Sequence, residues 1–419
     1  MLSPETIATV KATAPVLVEH GETLTRHFYR RMFEGDPAVR SLFNPSHQHS
    51  GDQQKALAGA ICAYAQNIDK LEALGPAVEL IAQKHASLKI RREHYPIVGK
   101  HLLASIEEVL GDAATAPIID AWAEAYGFLA DVLIDRESEI YTAHHIEHGW
   151  DGFRSFVVDR IETESDCIRS FTLTPQSGGA LAAWKPGQYL TVRVPCEETG
   201  TTMRNYSISN CPGQGSYRIS VKRETARGEE GIAGVVSNFM HDRVQVGDVL
   251  DVGPPCGEFF LDVEQAAKSV KPLVFLSGGV GVTPLLSMFS AAQEAELDRE
   301  MVFVHGALHG GAHAFGNTVR QIAEQHGRSK VHVRYNEPSF DDLETGRCDS
   351  EGLIDLPLLR SLLPAGDLDA EYFICGPSAF MRSMLGNLRG AGVPQAQLHF
   401  EFFGPQQGTG DEVRGAVAS

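Results

Sequence analysis

The spacing of apolar residues changes character at Gly149-Trp150-Asp151-Gly152, and one fold cannot serve both spacings. Upstream, Leu57, Ile61, Tyr64 and Ile68 form one helical stripe. Val78, Ile81, His85 and Leu88 form a second, and Trp122, Tyr126, Leu129, Leu133, Glu137 and Ile140 a third. Downstream the period becomes two. Leu190, Val192 and Val194 alternate with Thr191 and Arg193, and Tyr217, Ile219 and Val221 with Arg218 and Ser220, each run bounded by Gly or Pro. From Leu273-Val274-Phe275-Leu276 the pattern changes again, to a buried strand run that empties into a glycine loop and then a helix. Three domains follow: all-α over 1–146, an antiparallel β-barrel or sandwich over 151–264, and a doubly wound α/β domain over 270–405. A polar, Gly-rich tail closes the chain at 406–419.

Charge and cysteine usage exclude several function classes. The 419 residues carry a formal charge of -18, with Lys and Arg scattered rather than gathered, which argues against a nucleic-acid or anionic-membrane partner. Seven widely spaced cysteines with no Cys-x-x-Cys pair indicate neither a disulfide framework nor a zinc cluster, and imply a reducing cytosol. No apolar run approaches membrane-spanning length. Ser3-Pro4-Glu5 reads as a helix start in place of a leader peptide, so a cytoplasmic monomer is expected.

In the first segment a histidine and a carboxylate share inward helix faces. A buried Glu needs a partner, and His85, Tyr95 and Glu137 are candidates for one cluster. An inward histidine alone is more often a satisfied core residue than a ligand. The order decides more. Phe28-Tyr29, Ser41-Leu42-Phe43-Asn44-Pro45, Gln53 with Leu57, Lys84-His85, Tyr95 and Glu137 follow one another as in the bacterial flavohaemoglobins, and the segment resembles their globin domain. The resemblance implies a non-covalent haem b with His85 as its iron ligand, Phe43 packed on the porphyrin, and Tyr29, Gln53 and Leu57 lining the oxygen side. Glu137 and Tyr95 would hold the second ring nitrogen of His85 and strengthen its donation to iron.

The second segment carries Pro186-Gly187-Gln188-Tyr189, Arg204-Asn205-Tyr206-Ser207 and Gly234-Val235-Val236-Ser237 in the order of the ferredoxin-reductase-like flavoproteins. That resemblance implies FAD. Arg204 would pair with the pyrophosphate, Tyr206 pack on the isoalloxazine, Ser207 bond near N5 and Tyr189 lie along the adenosine or ribityl portion. Ser237 can cap a short helix from Asn238 to Asp242 whose amides point at the pyrophosphate.

In the third segment, Gly279-Val280-Gly281-Val282-Thr283-Pro284 joins strand to helix. Its glycines let a backbone approach a pyrophosphate, Thr283 can cap the helix and Pro284 suits its first turn. Pro284 stands where the dehydrogenase fingerprint has a third glycine, which matches the reductase pattern instead. Met301-Val302-Phe303-Val304 and Tyr372-Phe373-Ile374-Cys375 supply further strands. The resemblance places Cys375 beside a nicotinamide, and Glu401, Phe402, Phe403, Gly404 and Pro405 in a closing strand at the flavin near the haem. No acidic residue ends Val302-Phe303-Val304-His305 to read a ribose hydroxyl, so NADH and NADPH both remain candidates.

Resemblance over nearly the whole chain implies a nitric oxide dioxygenase that passes electrons from NAD(P)H through FAD to haem, with oxygen and nitric oxide as substrates. A haem-dependent peroxide or alkyl hydroperoxide reductase would use the same electron route. An oxygen-binding or gas-sensing globin is the reading from a different class, although a sensor needs an output domain and the partner here supplies electrons.

Overall fold

The computed structural model describes residues 2–43, 51–70, 74–150, 152–226, 232–325 and 327–403. Asn44, Pro45, Asp151, Gly404, Pro405 and the 406–419 tail lie outside the described residues.

Among the described residues the N-terminal domain has five α-helices, α1 (Pro4–Gly35), α2 (Asp52–Asn67), α3 (Gly75–Ser87), α4 (His94–Leu110) and α5 (Ala116–His148). Ser3 caps α1 by accepting the Thr6 N–H, as its Ser-Pro-Glu start predicts. The inward stripes pack Phe28, Met32, Tyr64, Ile68, Ile106 and Trp122 into one core. Helix α5 runs through His148 and stops at Gly149, whose φ of 58° few other residues adopt at low cost. Trp150 is 1% exposed and stacks on Phe156 inside the next domain, so the break falls at Gly149 and Trp150 already belongs to the barrel.

That barrel has strands β1 (Arg154–Thr163), β2 (Ile168–Pro175), β3 (Tyr189–Cys196), β4 (Gly200–Ser207), β5 (Tyr217–Lys222) and β6 (Val249–Val252), with helix α6 (Val235–Asp242) between β5 and β6. The antiparallel order is β4-β3-β6-β1-β2-β5, and an Ile208–Ile219 bridge brings its two ends together. Alternation in β3 departs from expectation on its outward face, where Tyr189 and Thr191 are both buried. Thr191 is 0% exposed, hydrogen-bonded to Asn205 where Ser87 of the N-terminal domain meets the barrel.

The third domain is a parallel sheet in the order β10-β9-β8-β7-β11-β12. Its strands are β7 (Leu273–Gly278), β8 (Met301–Ala307), β9 (Ser329–Tyr335), β10 (Ser350–Glu351), β11 (Glu371–Gly376) and β12 (Leu398–Phe402). Helix α7 (Val282–Glu294) follows the glycine loop, and α8 (Ser378–Gly390) follows β11. Phe259 and Leu261 of the barrel share its core with Phe275, Phe289 and Phe303, so the second and third domains pack as one continuous body. Among the described residues no helix is long and apolar enough to cross a membrane, and no cluster of three or more His, Cys, Asp or Glu side chains could hold a metal ion.

Candidate active site

His85 lies in the last turn of α3, Tyr95 in the first turn of α4, and Glu137 in α5 on the face that continues from Leu133. The fold brings all three together. His85 Nδ1 is 2.8 Å from Glu137 Oε1 and 3.1 Å from the Tyr95 hydroxyl, which donates a short hydrogen bond to the same carboxylate oxygen. Burial, reinforced by that carboxylate, pushes the Tyr95 phenol far above its usual range, so it stays a donor. An ionised Glu137 can only accept, so Nδ1 carries the proton and Nε2 is left with a free lone pair. The donor chemistry fits a haem iron. The surroundings fit a porphyrin too: Phe43, Leu57, Ile61, Val78 and Leu129 belong to the inward faces yet remain only partly buried, as side chains covered by a flat apolar group would be.

Across that space stands Tyr29, 6% exposed, with its ring edge-on to Phe43 at 5.6 Å. Gln53 hydrogen-bonds its hydroxyl, and burial raises the phenol well above its usual range, so Tyr29 is a neutral donor at any ordinary pH.

At the barrel, Arg204 is folded back onto its own strand, donating to the Met203 carbonyl at 2.5 Å and to Thr202 Oγ1 at 3.4 Å. Burial pushes this guanidinium down to about 10, and a desolvated cation of this kind favours an anionic group beside it. A pyrophosphate meets that need. Tyr189 and Ser207 are Cα partners in the β3–β4 register and share one face of that strand pair, whereas Arg204 and Tyr206 share the other, where Tyr206 packs against the barrel core. The Asn205 side chain lies on the Tyr189–Ser207 face and turns toward the N-terminal domain, leaving only its backbone on the Arg204–Tyr206 face. Ser237 is not the helix cap. Helix α6 begins at Val235 with Gly234 as N-cap, and Ser237 Oγ, inside the first turn, donates to the Gly234 carbonyl and accepts the Glu224 N–H. The helix N-terminus is therefore one turn earlier than the sequence suggests, because Ser237 finds a backbone partner within the turn.

The glycine loop joins β7 to α7 as expected, with Gly279 at φ 51°. Gly281 serves a second purpose: a Cβ there would sit 2.2 Å from the Cys375 carbonyl oxygen, so the loop is pinned against β11. Thr283 does not cap. Gly281 is the N-cap, Val282 and Pro284 belong to the first turn, and the Thr283 hydroxyl donates to the Val280 carbonyl at 3.0 Å. Cys375 lies at the C-terminal end of β11, in register with Ser277 on one side and Glu401 on the other. Its thiol is fully buried and held well above its usual range, hence neutral. Phe402 is half-buried in β12 and Phe403 exposed beyond it.

Glu401 is the link between sites. Burial pushes its carboxyl up to about 7 while Lys84 of α3 pulls the other way, and its Oε2 has no hydrogen-bond partner. Lys84 is itself lowered by burial and raised by Glu401. The closing strand of the third domain therefore faces the residue next to His85. Sequence reasoning missed two other residues of α3, Gln83 and Ser87, which contact the barrel more than 110 residues away. Their only sequence signal is a polar stripe at a spacing of four, which solvent could equally have satisfied.

The globin family matches residues 26–133, the oxidoreductase FAD-binding domain residues 155–261 and the oxidoreductase NAD-binding domain residues 275–385. A flavohemoprotein of Chromobacterium violaceum is 49% identical over 413 residues, covering 97% of this chain and 100% of that one. The chain belongs to the flavohemoproteins. It is an oxidoreductase whose cofactors are haem, FAD and a nicotinamide nucleotide. A flavohemoprotein of Rhodopirellula baltica is 47% identical over 97% of this chain and 99% of its own. Among solved structures, a flavohemoglobin from Malassezia yamatoensis with bound FAD and heme superposes with a TM-score of 0.82 at 26% identity, over 96% of this chain and 100% of that one. The FAD/NAD-binding domain of a nitric oxide dioxygenase from Vibrio cholerae matches 61% of this chain and 100% of its own length, with a TM-score of 0.53 at 32% identity.

Proposed function

We propose that this flavohemoprotein is a nitric oxide dioxygenase: NAD(P)H, oxygen and nitric oxide yield nitrate. The observation that carries the reading is the Glu137 carboxylate shared by His85 Nδ1 and the Tyr95 hydroxyl, in a chain that contains its own electron supply. When bound, the nucleotide supplies hydride, the flavin divides its electron pair, and the haem iron takes single electrons and binds oxygen.

The chain's residues supply the rest. His85 Nε2 would be the iron ligand, and Glu137, accepting from Nδ1–H, makes that nitrogen a stronger donor. Tyr95 holds the carboxylate in place. Tyr29, neutral and oriented by Gln53, presents a hydrogen bond to negative charge on the oxygen side. Phe43 and Leu57 exclude water there. Arg204 and the N-terminal turn of α6 would neutralise the flavin pyrophosphate, while Tyr206 and Ser207 orient the ring. The Gly279–Pro284 loop and the start of α7 would hold the nucleotide phosphates, with the Cys375 thiol beside the nicotinamide. Lys84 and Glu401 complete the junction between flavin and haem sides. An aerobic nitric oxide electrode trace with NADH tests the reading. Nitric oxide should vanish with nitrate as product and persist without oxygen; consumption of alkyl hydroperoxide in its place would assign the chain to peroxide reduction.

A further inference from the structure

Lys84 and His85 use two directions of α3, and a third is left. Glu79, Gln83 and Ser87 stand four residues apart, hence on one stripe, and all three reach the barrel. Glu258 hydrogen-bonds Glu79, the Gly257 N–H donates to Gln83 Oε1 at 3.3 Å, and Asn205 Nδ2 donates to Ser87 Oγ at 3.1 Å. Ser87 is 0% exposed.

The Ser87 contact has a fixed direction. The Thr191 hydroxyl donates to Asn205 Oδ1 at 2.8 Å, which orients the amide so that its N–H faces Ser87. Ser87 in turn donates its proton to the Lys84 carbonyl at 2.8 Å, and its oxygen meets both the Asn205 N–H and the Tyr189 side chain, which also hydrogen-bonds it. Three hydrogen bonds thus run one way, from β3 through β4 to α3, and polarise one another in a dry interface. The chain ends on the peptide bond between Lys84 and His85. At its other end, Asn205 sits between Arg204 and Tyr206, whose side chains strand alternation places on the opposite, flavin-facing side.

We infer that Ser87 is a positioning residue for electron transfer: its hydroxyl latches the His85 helix to the flavin strand and fixes the separation of the two redox sites. Each transfer reduces ferric haem iron to ferrous by one electron, and two transfers oxidise one dihydroflavin and release two protons. Because electron tunnelling falls steeply with distance, a loosened latch slows this step and leaves hydride transfer untouched. The inference rests on the haem and flavin of the oxidoreductase reading but not on nitric oxide chemistry.

The test uses the full-length holoprotein without nitric oxide. Anaerobic stopped-flow with NADH follows flavin and haem reduction separately, ferricyanide reduction reports hydride transfer alone, and amide hydrogen exchange reports the interface. In Ser87→Ala, haem reduction should slow by about fivefold, the equilibrium effect of one net hydrogen bond. Flavin and ferricyanide reduction should hold, and exchange should quicken in both 79–87 and 200–207. Ser87→Thr, which keeps the hydroxyl, should restore all of these. Should Ser87→Ala not accumulate as folded holoprotein, Gln83→Met loosens the same stripe and should show the same split. Haem reduction at the parent rate, slowed haem reduction with unchanged exchange, an equal slowing of ferricyanide reduction, or a Thr variant that behaves like Ala would each overturn the inference. None of these outcomes depends on nitrate formation, so failure of the dioxygenase reading would register separately.

Discussion

His85 has its Nδ1 committed to Glu137, and that contact separates it from the other histidines among the described residues. His101, for instance, is more deeply buried but has both nitrogens occupied, Nε2 by Asp36 at 2.7 Å and Nδ1 by Arg31 at 2.9 Å. His85→Ala should therefore purify with FAD but little haem, and a normal Soret band in that variant would remove the ligand assignment. Tyr29 is the corresponding case on the oxygen side. A hydrogen bond to a charged acceptor contributes about 1.5–3 kcal/mol, so Tyr29→Phe should release oxygen roughly 10- to 150-fold faster. Flash photolysis of the oxygen complex measures this directly, and unchanged dissociation would mean that the phenol does not meet the ligand. Both residues were legible in the sequence by type and order. The direction of the Asn205 side chain was not, because a strand position alternates between faces and only the docked globin domain decides which face is buried.

At the scale of elements, the glycine loop works through packing as much as through approach to a phosphate. Gly281→Ala would place a methyl against the Cys375 carbonyl and displace the loop from β11. Overpacking of this kind costs about 1–3 kcal/mol. NADH-dependent flavin reduction should fall while haem and flavin remain bound; a parent-like nucleotide KM and flavin reduction rate would contradict the assigned role of the loop. The same sheet carries a pH dependence. The His305 and His313 rings stack at 4.6 Å, with His305 Nδ1 2.7 Å from Ser277 Oγ and His313 Nδ1 2.7 Å from the Tyr335 hydroxyl. Burial lowers both, His313 to about 4. The unfolded chain, near 6.5, takes up protons first as pH falls. Stability from His313 is thus fully present above about pH 6.5 and is lost as pH falls toward 4, on the order of 3 kcal/mol across that window. Urea midpoints at pH 7 and pH 5 should differ, and His313→Gln should flatten the difference. Nothing in the sequence marked this pair: His305 lies in β8, whereas His313 follows the turn after that strand and is held beside it by its hydrogen bond to Tyr335 of β9.

For the whole molecule, the chain divides at Gly149 and is rejoined by contacts that cross the division. Trp150 packs inside the barrel and the barrel shares a core with the third domain, so a fragment from Trp150 onward should fold alone. It should reduce ferricyanide with NADH and consume no nitric oxide. Residues 1–146 should bind haem and oxygen once, then stop as ferric globin after meeting nitric oxide, because that segment holds no electron source. Sustained turnover by the isolated globin with NADH alone would refute this division of labour.

The sequence by itself determined the three kinds of fold and their order, and it named His85, Tyr95 and Glu137 as one cluster, which the fold brings together. Hydrophobic period is a local property, and the residues that carry the chemistry fall at short, ordered spacings such as Lys84-His85 and Arg204–Ser207. The tertiary structure decided where helices α6 and α7 begin, since Ser237 and Thr283 satisfy backbone carbonyls instead of capping. It alone decided that Thr191 is buried, that Lys84 faces Glu401, and that Ser87 meets Asn205. Those are contacts between domains, set by how three independently patterned surfaces fit, and no local spacing encodes which outward face will meet another.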